Sequence, residues 1–491
     1  MNALRAFALL LLSFPLFAIS ACGGGSSGGA AVTPPPPPPT GGIGRNGVAV
    51  GPIGTFGSIV VNGVHYETDT AVFTINDAPG TQDDLRVGDI VTVRGTIDDN
   101  GTTGTADDVT FDDSVKGPVE SIDTLASRLV VLGQTVLVRP DTSFDDSFSP
   151  ASLDGVSVGQ IVEVSGQFDA NGDIVATRIE PKPAGTQFEV HGTVSNLDDV
   201  NLRFNIKTLV VDYSNAVLDN FPNGQISNGD FVEAKGIALD VVTGDLLATS
   251  VELEALVPAA NDGDHVEIEG FITRFVSAQD FDVAGLPVTS TPTTVFEGGD
   301  ANDLGLNIKV EAEGEIDSNG VLVATKIDIR RAKAVRATAN ADSVDAANDS
   351  LVVLGITVTV DALTRFEDKS NADVDPLTLS DINAGDYLEI RGDEFPAGSG
   401  TILATIFERE DPDAEAILQG FVETIGNLSF TILGVTIQTN GATVFRDVND
   451  NVISEMDFFD QVVPNSLVKA KGSEISDTTI AATEVEFELE F

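Results

Sequence analysis

The sequence predicts an all-β fold, a tandem array of about six small five-stranded β-barrels behind an exported N-terminus and a tether. Three observations predict it. A short echo, A-T-x-[IVF]-[DE], returns near the end of successive segments, which marks a repeat architecture. Between the echoes, apolar and polar residues alternate in short runs, the period of half-buried strands. No convincing helical period appears after the N-terminal segment, and Asn-Gly or Gly-Asp turn signals punctuate the runs.

Residues Met1 to Arg5 carry one positive charge and lead into an apolar run from Ala6 to Ile19. That is a signal-peptide pattern, too short to span a bilayer permanently. The segment 1–21 ends Ile19-Ser20-Ala21 before Cys22, which resembles a bacterial lipobox. The resemblance implies lipidation of Cys22, the single cysteine of the chain, and a membrane attachment through that lipid. Gly23, where an aspartate would imply inner-membrane retention, points to an outer-membrane lipoprotein; the periplasmic and surface faces both stay open. Residues 22–46 read as a tether, flexible over Gly23 to Gly29 and stiff over Pro34 to Pro39. Six prolines in an extended helix reach roughly 19 Å. The string Gly42-Ile43-Gly44-Arg45-Asn46-Gly47 matches a dinucleotide fingerprint by letter but follows the proline spacer with no strand before it, so it reads as linker.

The repeats then divide the chain at 47–113, 114–183, 184–255, 256–331, 332–411 and 412–491. Their echoes are Ala176-Thr177-Arg178-Ile179-Glu180, Ala248-Thr249-Ser250-Val251-Glu252, Ala324-Thr325-Lys326-Ile327-Asp328, Ala404-Thr405-Ile406-Phe407-Glu408 and Ala482-Thr483-Glu484-Val485-Glu486. A degraded copy, Ala106-Asp107-Asp108-Val109, closes the first unit. Upstream stands a glycine seven residues before another, as in Gly88/Gly95, Gly159/Gly166, Gly229/Gly236 and Gly385/Gly392. Asn307 and Asn465 replace the first member in two units, and Gly or Asn there predicts a turn residue with positive φ. V-L-G followed by an alternating run, then T-x-F, precedes that pair, as in Val353-Leu354-Gly355 and Thr364-Arg365-Phe366. D-x-N-G joins the last two strands as a hairpin. Five strands, Greek-key order and a longer loop after the third suggest an OB-like small barrel, which removes exposed edges. The units read as a string joined by short connections such as Pro181-Lys182-Pro183 and Asp411-Pro412.

The order G-x-[IV], V-L-G-x-T-V, T-x-F, G-D-x-V-E-V-x-G, D-x-N-G and A-T-x-I-E resembles the bacterial domain of unknown function 5666 family, from Gly47 to the C-terminus. The resemblance implies envelope lipoproteins with OB-like modules and supplies no catalytic residue. It is weakest in the third unit, where Ile206-Lys207-Thr208 stands in place of V-L-G.

Asp and Glu number 77 against 26 Lys and Arg, a net charge of −51. Such a surface repels phosphate polymers, so no nucleic-acid partner is expected despite the barrel. The expected protein is non-catalytic and lipid-anchored in the cell envelope, its barrels serving as spacer or interaction modules toward an envelope protein or polysaccharide. Calcium is the one ligand the residues suggest, through the acidic hairpins at Asp169, Asn171 and Asp173, Asp98 and Asn100, and Asp317 and Asn319. A calcium-stabilised adhesive stalk is therefore the alternative, against the plainer reading of these residues as turn formers. His65, His191 and His265 sit in three different units with no ligand spacing among them, and read as structural or surface residues. Paired carboxylates leave an envelope hydrolase as a second alternative, opposed by the absence of Trp and the presence of only three Tyr.

Overall fold

The computed structural model describes residues 45–488, apart from 56–57, 99–100, 125, 140, 256–259, 331–334, 362–363, 397 and 450. The signal segment, Cys22 and most of the tether lie outside the described residues. From Gly42 to Phe491 the chain forms one unit.

Unit 2 shows the plan. Its strands run Val115–Asp123, Arg128–Val131, Gln134–Leu137, Ile161–Phe168 and Ile174–Pro181. The first pairs with the second, the second with the third, the third in parallel with the fifth, the fifth with the fourth, and the fourth with the first. That circuit is the strand order of an OB-type barrel. Units 3, 4, 5 and 6 close by the same ladders, and unit 1 closes through the bridge between Ile53 and Val61.

Every motif has a place in this circuit. The first glycine or asparagine of the spaced pair has positive φ in all six units, from 63° at Asn307 to 98° at Gly229. The second glycine sits at a β-bulge in the fourth strand, with the register shifting at Gly95, Gly166, Gly236, Gly314, Gly392 and Gly472. A Cβ there would lie 2.0 to 2.6 Å from a carbonyl oxygen of the fifth strand. The echo threonine spans the same bulge: Thr177, Thr249, Thr325 and Thr483 donate to the carbonyl of the residue before the glycine at 3.1–3.2 Å. The echo alanine is buried in every unit, and its carbonyl accepts from the threonine of T-x-F, as at Thr142, Thr294, Thr364 and Thr443. Two motifs some 35 residues apart thus describe one hydrogen bond.

V-L-G is the tight turn between strands two and three. Leu132/Gly133, Leu354/Gly355 and Leu433/Gly434 all have positive φ, the conformation of a type I′ hairpin turn. A left-handed leucine costs roughly 1–2 kcal/mol, and burial offsets it. Leu132 is fully buried, and its Cγ occupies space that a Cβ at Gly117 of the first strand would enter at 2.5 Å.

Three features depart from expectation. Unit 6 holds an α-helix, Glu455–Gln461, between its third and fourth strands. Seven residues are too few to show a helical period, but Ser454 caps the N-terminus and Phe458 is buried against Phe445 and Phe487 at 5.0 and 4.7 Å. The first strand begins at Arg45, so the last residues of the glycine-rich string belong to the barrel. The units, finally, do not form a plain string. First strands pair between units: Val115 with Val190 joins units 2 and 3, Ala337 with Leu418 joins 5 and 6, and Gly47–Val50 run parallel to His265–Ile268 to join 1 and 4. One core cluster spans units 2 and 3, and another spans 5 and 6.

The bulge glycines make a prediction. Gly392→Ala, whose Cβ would stand 2.1 Å from the Leu403 carbonyl, should destabilise the full chain by about 1–3 kcal/mol in urea unfolding. Asn465→Gly, at φ 71°, should stay within about 0.5 kcal/mol.

Candidate functional site: the buried charges between units

The fourth and fifth strands place two acids face to face on the barrel exterior. Glu163 opposes Glu180, Glu233 opposes Glu252, Glu311 opposes Asp328 and Glu389 opposes Glu408. Like charges directly opposed are destabilising unless a cation joins them. Cations of the same unit join them, and the neighbouring units cover the group.

Between units 1, 2 and 3, the Lys116 ammonium contacts Asp113 at 2.5 Å, Glu163 at 3.8 Å and Glu189. Lys235 contacts Glu189 and Glu233 at 2.9 Å each, and Asp77. Burial, with the Glu189 charge beside it, pushes the Glu233 carboxyl up to about 10. Burial also opposes ionisation of Glu189, but hydrogen bonds from Glu233, Lys116 and Lys235 bring it down to about 2. His191 lies buried with Nε2 3.4 Å from Glu233, and burial lowers it to about 4.

Units 1, 2 and 5 meet over a second group. Glu408, 1 % exposed, contacts Lys369 and Arg391 at 2.9 Å each, and these cations outweigh burial to bring it down to about 2. Glu389 takes Arg336 and Arg391 at 2.5 Å. Arg391 reaches the Thr142 carbonyl of unit 2, and Arg178 of unit 2 reaches the Val87 carbonyl of unit 1 and Glu367 of unit 5. A cleft of about 450 Å³ opens between units 1 and 5. Two of its lining carboxylates are already engaged, Glu367 by Arg178 and Asp368 by Arg409.

The hairpins with the suggested calcium ligands are separate sites in separate units. Asp169 Oδ1 accepts from the Asn171 and Asp173 amides at 2.8 and 2.9 Å, and Asp173 itself pairs with Lys207 at 2.8 Å. Asp317 Oδ1 accepts from the Asn319 and Val321 amides at 2.8 and 3.0 Å. Asp98 accepts from the Thr103 hydroxyl at 2.8 Å, and Asn100 lies outside the described residues. Asp169 and Asp317 act as acceptors for the amides of their own turns. Glu180, the twelfth position of an EF-hand count from Asp169, turns to Arg178 and Lys182. His65 is exposed beside Ser58, and His265 is buried beside Glu267.

Sequence reasoning missed the interfacial charges. Their signal was present: the acid of V-E-V and the acid of the echo keep a fixed offset around the hairpin, so each pair falls in register. The cations that join them come from the same unit, but the contacts that carry each group to another unit, such as Lys116 to Glu189 and Arg178 to Glu367, are announced by no local pattern.

Two predictions follow from these groups. Asp89, Glu254 and Glu410 are raised by burial to about 7, and Glu233 to about 10. A raised carboxyl contributes stability that is full below its ordinary value and lost as pH rises through the folded value. Glu189 and Glu408, lowered to about 2, contribute above their ordinary value and lose it in acid. His191, lowered to about 4, loses its contribution below about 6.5 but is one group against four. The melting temperature should therefore be higher near pH 5 than near pH 8; the reverse order would contradict the network. Because the hairpin aspartates are already engaged by turn amides, a hydroxyl or a lysine, calcium and magnesium at matched ionic strength should give equal melting curves.

Comparison with known families completes the picture. A family model described as "Domain of unknown function (DUF5666)" matches residues 49–110, 116–180, 261–328, 340–406 and 419–486. Unit 3 is not among the matched segments, though it closes the same circuit of strands. No curated protein matches the chain.

Proposed function

The chain belongs to the DUF5666 family, and we propose that it is a non-catalytic, lipid-anchored cell-envelope protein whose six barrels form a stiff acidic body for spacing or for contact with an envelope partner. One observation carries the reading: the paired acids of the repeat are joined to Lys and Arg at interfaces between units. A general acid–base pair needs carboxylates of unequal environment facing a substrate. Here the unequal carboxylates, Glu189 and Glu233, face Lys235 instead.

Anchoring rests on the lipobox-like Ile19-Ser20-Ala21-Cys22 and the tether behind it. Among the described residues no helix is long and apolar enough to cross a membrane. Stiffness rests on the first-strand ladders and shared cores, which leave little freedom for paired units to swing. An outer-membrane destination follows from Gly23, and a protein or polysaccharide partner suits a surface of net charge −51 better than an anionic polymer does.

The test is direct. Expressed in a Gram-negative host, the full chain should incorporate labelled fatty acid and sediment with outer membranes, and Cys22→Ser should do neither. A broad hydrolase screen on the purified chain should show no turnover. Membrane sedimentation of Cys22→Ser would overturn the anchor. Turnover abolished by Glu233→Gln would overturn the non-catalytic reading.

A further inference from the structure

Unit 4 carries an acid at a fourth-strand position where the other units carry a cation or a hydroxyl. In unit 3, Glu189 of the first strand lies opposite Lys235 of the fourth, and the two are ion-paired at 2.9 Å. The equivalent residues in unit 4 are Glu267 and Glu313, again direct cross-strand partners. The fourth-strand position, just before the bulge glycine, is Arg94, Ser165, Lys235, Arg391 and Lys471 in the other units, and acidic only in unit 4. A carboxylate therefore faces a carboxylate where the repeat elsewhere provides a cation or a hydroxyl.

A histidine stands beside them. His265 Nε2 lies 3.3 Å from Glu267 Oε1 and 3.6 Å from Glu313 Oε1, and one ligand atom from each of the three falls within 4.8 Å of the others. Glu267 is 3 % exposed, and its second oxygen, Oε2, is buried with no hydrogen-bond partner. The hydroxyl of Tyr66, from the core of unit 1, is likewise buried without a partner, and burial, with the Glu267 charge added, opposes its ionisation. Lys326, opposite Glu313 on the fifth strand, turns its ammonium to Glu297 at 3.2 Å. Two strands hold the cluster rigid: Glu267 is bonded into the ladder with Glu313 on one side and with Ala49 of unit 1 on the other.

We propose that His265, Glu267 and Glu313 form a site for a divalent transition ion of the zinc type, which takes the place Lys235 has in unit 3. Imidazole and carboxylate together suit such ions, whereas calcium and magnesium prefer oxygen alone. The spacing agrees: ligand atoms about 2.0–2.2 Å from a tetrahedral ion stand roughly 3.3–3.6 Å apart. The related cluster of Asp77, Glu233 and Glu252 has the same ligand count but already holds the Lys235 ammonium, which contacts Asp77 and Glu233. Because the strand of unit 1 flanks the site, the ion would lock units 1 and 4 together.

The experiment strips the full chain with a chelator and titrates it with zinc chloride by calorimetry, in excess magnesium to cover weak surface carboxylates. One zinc per chain should bind, and the melting temperature should rise with it. His265→Ala and Glu313→Lys should each weaken that binding at least tenfold, and His191→Ala should leave it unchanged. Glu313→Lys restores the charge pair of unit 3, so in chelator it should melt no lower than the parent chain. That variant separates loss of the site from loss of the fold. No stoichiometric zinc in the folded parent chain, or equal uptake by both site variants, would overturn the proposal.

Discussion

One joint underlies the whole molecule: the antiparallel pairing of the fourth and fifth strands across a glycine bulge. A bulge raises local twist and bends the strand that carries it, which lets five short strands close within roughly 70 residues. The bulge dictates its own surroundings. Glycine is required because a Cβ would strike the opposite carbonyl, alanine because the opposing residue is enclosed, and threonine because its hydroxyl spans the interrupted ladder. The echo is thus the imprint of one joint made six times. The same register sets two acids side by side on the barrel exterior, and the interfaces begin there.

An exterior carboxylate pair is cheap in water and costly once another barrel covers it. Removing one partner of a buried ion pair costs about 3–5 kcal/mol, while a well-packed apolar replacement of the whole pair is often neutral. Ion pairs of this kind add little net stability but penalise every arrangement in which a charge stays unpaired. The partners differ from one interface to the next: Lys116 and Lys235 between units 2 and 3, Arg178, Lys369 and Arg391 where units 1, 2 and 5 meet. Near-identical barrels are told apart by where their few cations sit. That matters most for units 1 and 4, which pair in parallel across more than 200 residues of intervening chain.

Much of each barrel was legible because its signals are local. Positive φ at Gly88 or Asn307 and the hairpin at Asp317–Gly320 follow from what glycine and asparagine tolerate. Leu354-Gly355 was visible as a motif but not as a type I′ turn, since leucine is a poor candidate for positive φ until its buried side chain is seen to hold it there. The helix at Glu455–Gln461 is too short for periodicity to register. The pairing of units was not legible at all. A first strand with one edge free reads the same whether that edge meets the next unit or one three repeats away. The cluster of His265, Glu267 and Glu313 is scattered for a related reason: two ligands are two residues apart, and the third comes from a strand more than 40 residues on.

The formal charge of −51 leaves few cations to offset the acids on the outside of this protein, and several of those few are turned inward. Lys116, Arg178, Lys235 and Arg365 are each less than 10 % exposed, and Lys369 and Arg391 lie in the same interfaces. More acids than cations are buried, so the solvent face keeps roughly the sequence's own excess of acid. Composition alone suggests a protein that could trade surface lysines for solubility; the structure shows lysines and arginines committed to holding barrels in register. A partner approaching from solvent therefore meets carboxylates, amides and hydroxyls with few opposing charges. Contact by neutral or cation-bearing groups is favoured on that surface, and long-range attraction of another polyanion is not.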